Sequence, residues 1–209
     1  MNTSKVTCTM KTKKYNMSFT SGALLHRESS LVLKSYMRLQ DWNEVEKEVL
    51  DKNILQSRTQ STSKRIYREI ASRLSKLTKN DILTFHSATN RDQGYILWLS
   101  ICRKYKFIAE FAREVVREKF LSLQDAVSSE DYAAFFNAKA EWAPELDELS
   151  QSTQQKLRQI LFRMLREANL LSNDNRIIPV MCSQHMEVFF KESNNFLFFS
   201  VQAANGWGR

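Results

Sequence analysis

The chain has 209 residues, enough to bury a hydrophobic core without a disulfide or metal staple, as one large domain or two small ones. Four Gly and two Pro leave little for tight hairpins or a multi-stranded barrel, whereas periodic segments rich in Leu, Lys, Arg, Glu and Ala are plentiful, so the expected fold class is all-α. The net charge of +8 is uneven: residues 1–120 hold 23 Lys plus Arg against 12 Asp plus Glu, and residues 121–209 hold 8 against 11, which suggests a polyanion-facing side, a solubility device or a contact for an acidic protein.

Residues 1–14 are polar, basic and aperiodic, the pattern of a disordered arm that is either inert or touches phosphates. Lys5, Lys11, Lys13 and Lys14 imitate the basic start of an export signal, but no apolar stretch follows and no run is long enough to span a membrane. Thr20 or Ser21 can cap a first helix from near Gly22 through "ALLHRESSLVLKSYMRL", and Asp41 can cap a second through "WNEVEKEVLDKNIL". The polar connector "QSRTQ" leads into "QSTSKRIYREIASRL", Gln60 to Leu74. Next come a short helix and loop in "NDILTFHSATNRDQ" and one long helix from Gly94 to about Leu123. Ser128 or Ser129 caps "SSEDYAAFFNAKAEW", Pro144 restarts the chain at "APELDEL", and Ser152 or Thr153 caps "QSTQQKLRQILFRML", Gln151 to Leu165. Beyond it, "LLSNDNRIIPV" places short apolar runs around Asn173, Asp174 and Asn175, so a small β-hairpin near 170–180 is the most strand the chain predicts. The expected organisation is an arm over 1–14, a helical domain over 15–123, a second over 124–192 and a tail over 193–209 whose apolar "FLFFSV" docks on the body or forms an edge strand.

On a helical wheel with Lys64 at zero, Ile66, Tyr67, Ile70, Leu74 and Leu77 fall between about 200° and 300°, and Lys64, Arg65, Arg68, Arg73, Lys76 and Lys79 fall between about 0° and 180°. Glu69 is the one acid on that half. So one-sided a face repels itself, and a phosphate backbone relieves it; the helix start at Ser61 to Ser63 adds unpaired N–H groups and the positive dipole end. With the preceding helix and connector, this makes a helix-turn-helix whose second member suits a DNA major groove. The second copy shares Gln-Ser-Thr and a closing leucine, about four identities in fifteen, and carries Lys156, Arg158, Arg163 and Arg166. With "APELDEL" before it and the "SNDN" hairpin and Arg176 behind, it reads as a winged-helix-like unit.

The stretches "FTSGALLHRESSLVLKSYMRLQDWNEVEKEVLDKNILQSRTQSTSKRIYREIASRLSKLT", "YILWLSICRKYKFIAEFAREVVREKF", and "FFNAKAEW" followed by "STQQKLRQILFRMLREANLLSNDNRIIP" resemble the BrxA family of bacteriophage exclusion (BREX) defence systems. The resemblance runs from about Tyr15 to Val188. It implies an all-α protein with helix-turn-helix elements that binds double-stranded DNA beside the methyltransferase and other BREX components. Residue by residue, it lands on the helices that start near Ser61 and Ser152.

Catalytic signals are thin. His26, His86 and His185 have no second ligand at metal spacing, Cys102 sits in the apolar "ILWLSICRKY", and no phosphate loop or nucleophile elbow occurs, so no metal or cofactor is expected. Cys8, Cys102 and Cys182 are far apart and odd in number, which points to a reducing compartment, the cytoplasm. Glu141, Glu145, Asp147 and Glu148 read as a solvated face, and Trp42, Trp98, Trp142, Phe107, Phe111, Phe135 and Phe136 as core. The expected function is a non-enzymatic, monomeric, double-stranded DNA-binding protein, with contacts from Lys64, Arg65, Arg68, Arg73 and Lys76 in one unit and Lys156, Arg158, Arg163 and Arg176 in the other. A protein adaptor within the defence complex and a helical RNA-binding domain are the alternatives.

Overall fold

The computed structural model describes residues 14–19, 23–181 and 184–200. The proposed arm before residue 14, the caps Thr20 and Ser21, Cys8, Cys182 and the last nine residues lie outside them. Helix α1 spans His26–Leu39 and is closed by Gln40, whose left-handed φ of 55° lets its N–H reach the Tyr36 carbonyl. Asp41 caps α2 (Trp42–Asp51) as predicted, its carboxylate accepting from the Asn43 and Glu44 N–H groups. The cap of α3 (Gln60–Leu74) is Thr59, one residue before the repeated Gln-Ser-Thr, with its hydroxyl accepting from the Thr62 N–H. The Tyr67 hydroxyl of α3 donates to the Trp42 carbonyl at 2.5 Å, and Trp42 stacks on Tyr36 at 4.0 Å. These contacts lock α1, α2 and α3 into one packed unit.

A capping box of Thr78 and Asp81 starts α4 (Lys79–Ser87), and Thr89 starts α5 (Asn90–Lys104). From Gly94 to Cys102 every residue of α5 is buried, so this helix is the axis of the protein; α1, α3, α4 and α10 all pack on it. The expected continuous helix from Gly94 to Leu123 is broken at Tyr105, which has the extended angles φ −112° and ψ 97°. Tyr105 is fully buried, with its ring against Phe19 and its hydroxyl donating to Glu69 on α3 at 2.7 Å. That tertiary pairing turns the chain where local periodicity alone would have carried on. Helix α6 (Lys106–Phe111) then runs through a π-helical stretch, Ala112–Arg117, into α7 (Glu118–Leu121).

Helix α8 (Ser129–Ala140) begins with the predicted Ser128 cap, and Pro144 opens α9 (Pro144–Asp147). Helix α10 (Gln151–Glu167) is capped by the Ser150 hydroxyl, not by Ser152 or Thr153. The expected hairpin is reduced to isolated antiparallel bridges, Leu171 to Ile177 and Arg176 to Ala126, turning at Asn175 with φ 62°. Helix α11 (Gln184–Lys191) and a 3-10 stretch, Glu192–Phe198, follow. Phe190 and Phe199 bury against Tyr95, and the Trp98 ring N–H donates to the Phe198 carbonyl at 3.1 Å, so the apolar tail docks on α5. The buried residues from Phe19 to Phe199 form one connected core. No described helix is long and apolar enough to cross a membrane.

Candidate nucleic-acid interface

Helix α3 buries Ser63, Tyr67, Ile70 and Leu74, which follows from their arc on the wheel. The opposite side turns outward: Lys64, Arg65, Arg68 and Lys76 are exposed. Lys64, Arg65 and Arg68 share a shallow hollow with Ser61 and Glu69 near the helix start, where the first turn carries no acid. Among the described residues Lys64, Arg65 and Lys76 have no ion pair, while the Arg68 Nε stands 3.9 Å from Glu46 of α2. A gap that wide between partly exposed groups holds Arg68 weakly. Arg58 is also exposed, in the connector just ahead of Thr59.

Arg73 corrects the sequence reading. It is 3% exposed and cannot meet a ligand on the surface. Its Nε bonds Glu69 at 2.6 Å and its Nη1 donates to the Ala23 carbonyl at 2.8 Å, which leaves Nη2 without a partner. On the wheel Arg73 stood at about 180°, beside the apolar arc, and its bonds to Glu69 and to the Ala23 carbonyl ahead of α1 hold it in the interior. Glu69 is likewise no interruption of an exposed face. It accepts from Arg73, from Lys104 Nζ at 2.7 Å and from the Tyr105 hydroxyl. Burial pushes Glu69 up, but Arg73 and the bonds from Lys104 and Tyr105 outweigh it and hold the carboxyl below its usual range. Burial and the Glu69 hydrogen bond push the Tyr105 hydroxyl up. The one acid of the basic half borders the hollow but has its carboxylate taken up by Arg73, Lys104 and Tyr105, so Lys64 and Arg65 gain no ion pair from it.

On α10 the outcome differs. Lys156 is exposed with no ion pair among the described residues, and Arg158 is half-buried. Arg163 Nε bonds Glu167 at 2.7 Å, Arg166 donates to the Asn175 side chain, and Arg176 sits between Asp125 and Asp174. Gln154, Gln155 and Gln159 are amides near the α10 start that could read an adenine; Gln154 donates to the Leu149 carbonyl, and Gln155 and Gln159 are exposed. The acidic stretch is more than a solvated face, since Glu145 accepts from the Tyr15 N–H at 2.7 Å and fixes the start of the described chain. Trp98, Phe107, Phe111, Phe135 and Phe136 are core as expected, Trp42 is partly buried, and Trp142 is 79% exposed. Cys102 is buried and its thiol is pushed up by that burial, so it stays protonated. The described residues contain no group of three or more His, Cys, Asp or Glu arranged for a metal.

A family model described as BrxA matches residues 13–194. A BREX protein BrxA from Bacillus cereus (strain H3081.97) is 28% identical over 130 residues, an alignment that covers 62% of this chain and 65% of that protein. A BREX protein BrxA from Escherichia coli O9:H4 (strain HS) is 23% identical over 155 residues, covering 74% of this chain and 73% of that one. A crystal structure of an uncharacterized protein from Magnetospirillum magneticum superposes with a TM-score of 0.72 at 17% identity, over 89% of this chain and 96% of that one, a likeness of fold.

Proposed function

The chain belongs to the BrxA family, and from that premise we propose that it is a non-enzymatic, double-stranded DNA-binding component of a BREX phage-defence system. One observation carries the reading: the outward face of α3 holds Lys64, Arg65 and Arg68 around one hollow with no effective counter-ion, because Glu69 is spent on Arg73, Lys104 and Tyr105. Like charges packed on one face repel, and a phosphate backbone offers anions at the density needed to relieve them. Helices α2 and α3 with their connector act as a helix-turn-helix, and α9, α10 and the turn at Asn175 as a winged-helix-like second unit. These elements belong to proposed domains over 15–123 and 124–192. The leading contacts are Lys64, Arg65, Arg68 and Lys76; Lys156 and Arg158 add to them, while Arg163 and Arg176 contribute less because acids already hold them.

Cations bound to phosphate do not read bases, and with Gln154 engaged Gln155 and Gln159 are left as exposed amides near the α10 start, so the expected sequence preference is weak. Other BREX components, the methyltransferase among them, are the proposed protein partners. A gel-shift series with duplex DNA, single-stranded DNA and RNA at several salt concentrations tests this. Salt-sensitive retention of duplex ahead of the single strands is expected. Preference for RNA, or no retention of any nucleic acid, favours the RNA-binding or adaptor reading.

A further inference from the structure

A second hollow opens at the other end of α3. Ser72, Ser75 and Lys76 line it from that helix and its C-terminal turn, Lys104 and Lys106 from the two sides of the Tyr105 break, and Lys14 from the leading segment. Arg103 reaches it as well, so five cations and no carboxylate form its lining. Two of the five are committed: Arg103 to Asp81 and Asn195, and Lys104 to Glu69 and the Ser72 hydroxyl. Lys106 lies 3.5 Å from Glu110 and over the Tyr15 ring. Lys14 and Lys76 are exposed and have no ion pair among the described residues. Burial, and the charges of Arg73 and Lys76, hold Lys104 below the usual lysine range against the pull of Glu69. Positive charge has accumulated here beyond what the protein itself neutralises.

The two hollows share one face. At 100° per residue, Ser61, Lys64, Arg65, Arg68, Ser72, Ser75 and Lys76 fall within an arc of about 120°. From Lys64 to Ser75 the helical rise is about 16 Å, wider than the roughly 12 Å of a major groove. Lysine ammonium and serine hydroxyl groups both donate to the oxygens of a phosphodiester. Resting on the DNA-binding reading above, we propose that this second hollow receives the phosphate backbone of the same duplex, so that α3 lies across the groove with one strand at Lys64, Arg65 and Arg68 and the other at Lys14, Lys76 and Lys106. The leading segment, held by the Tyr15 bonds to Glu145 and Glu110, is then part of the DNA-contacting surface.

The test compares Lys14→Gln/Lys76→Gln with Lys64→Gln/Arg65→Gln, after circular dichroism shows that both are folded; none of the four side chains has an ion pair to lose among the described residues. For each double variant, two lost phosphate contacts reduce the fall in duplex affinity between about 50 and 200 mM salt by about tenfold. Arg113→Gln, which removes one charge from the π-helical stretch, serves as the surface control and leaves affinity near that of the parent. If Lys64→Gln/Arg65→Gln weakens binding and Lys14→Gln/Lys76→Gln matches the parent, the second strand contact is wrong and the DNA-binding reading stands. If neither variant differs from the parent, both are wrong. Thermal stabilisation by pyrophosphate that Lys14→Gln/Lys76→Gln abolishes, with duplex affinity untouched, assigns the hollow to a small phosphate ligand and overturns the duplex contact.

Discussion

Helices α3 and α10 start with the same three residues, carry a hydroxyl cap one position ahead and share a leucine at their fifteenth position, yet the fold treats their cations in opposite ways. On α3 the single acid of the basic half is taken up by Arg73, Lys104 and Tyr105, Lys64, Arg65 and Lys76 have no ion pair among the described residues, and Arg68 has only a 3.9 Å approach to Glu46. On α10 Arg163 leans on Glu167, and Arg176 at the following turn is held by Asp125 and Asp174. Exposed pairs of that kind contribute only about 0–1 kcal/mol to stability, but each cancels much of the field that an approaching phosphate meets. Availability to a polyanion therefore depends on where a helix's acids point more than on how many Lys and Arg it carries.

The largest effect separating the two helices concerns how α3 is held. Glu69→Ala strands Arg73 in the interior with no counter-charge, and such a loss costs about 3–5 kcal/mol. A chemical denaturation midpoint reads it; a loss below about 1 kcal/mol means that the apolar face alone holds α3. The same carboxyl gives a pH signature. Its folded value lies below the usual range, so its contribution is present above the unfolded Glu value of about 4.3 and is lost as pH falls through the folded value. Glu69→Gln lacks that component, and its stability should fall less steeply than the parent's as pH drops below about 4.3.

Next in size is duplex binding by the charge-reversed helices. Arg65→Glu/Arg68→Glu should fold and lower the log–log salt slope by about two. Lys156→Glu/Arg163→Glu should lower it by about one or less, since Arg163 is already paired. Equal losses in a gel-shift titration erase the contrast between the helices. The smallest effect runs the other way. Glu167→Gln releases Arg163 and keeps an acceptor for the Leu24 N–H, so duplex affinity should rise slightly and the slope steepen by up to about one. Unchanged binding in that variant means that α10 faces away from the duplex.

The sequence carried the all-α class, the order of the helices and the Asp41, Ser128 and Pro144 punctuation, because caps and periodicity are local properties of the chain. It did not carry the break at Tyr105 or the burial of Arg73. Both belong to one cluster in which Glu69 joins residues from 35 positions away, and no local pattern encodes such a pairing. Lys64, Arg65 and Arg68 were legible as surface cations, since the wheel placed them well away from the apolar arc. Neutralisation of Arg163 was partly legible in the acid four residues on, whereas the approach of Asp125 to Arg176 depends on the bridge between Ala126 and Arg176. The hollow at Lys14 and Lys106 joins residues 92 apart and had no local signal.

Lysine acetylation footprinting of the intact protein, with and without saturating duplex DNA, reads both helices in one sample through Lys64 on α3 and Lys156 on α10, both exposed in the free protein. Strong protection of Lys64 with Lys76 is expected, and weaker protection of Lys156. Protection of Lys156 while Lys64 stays as reactive as in the free protein would contradict it.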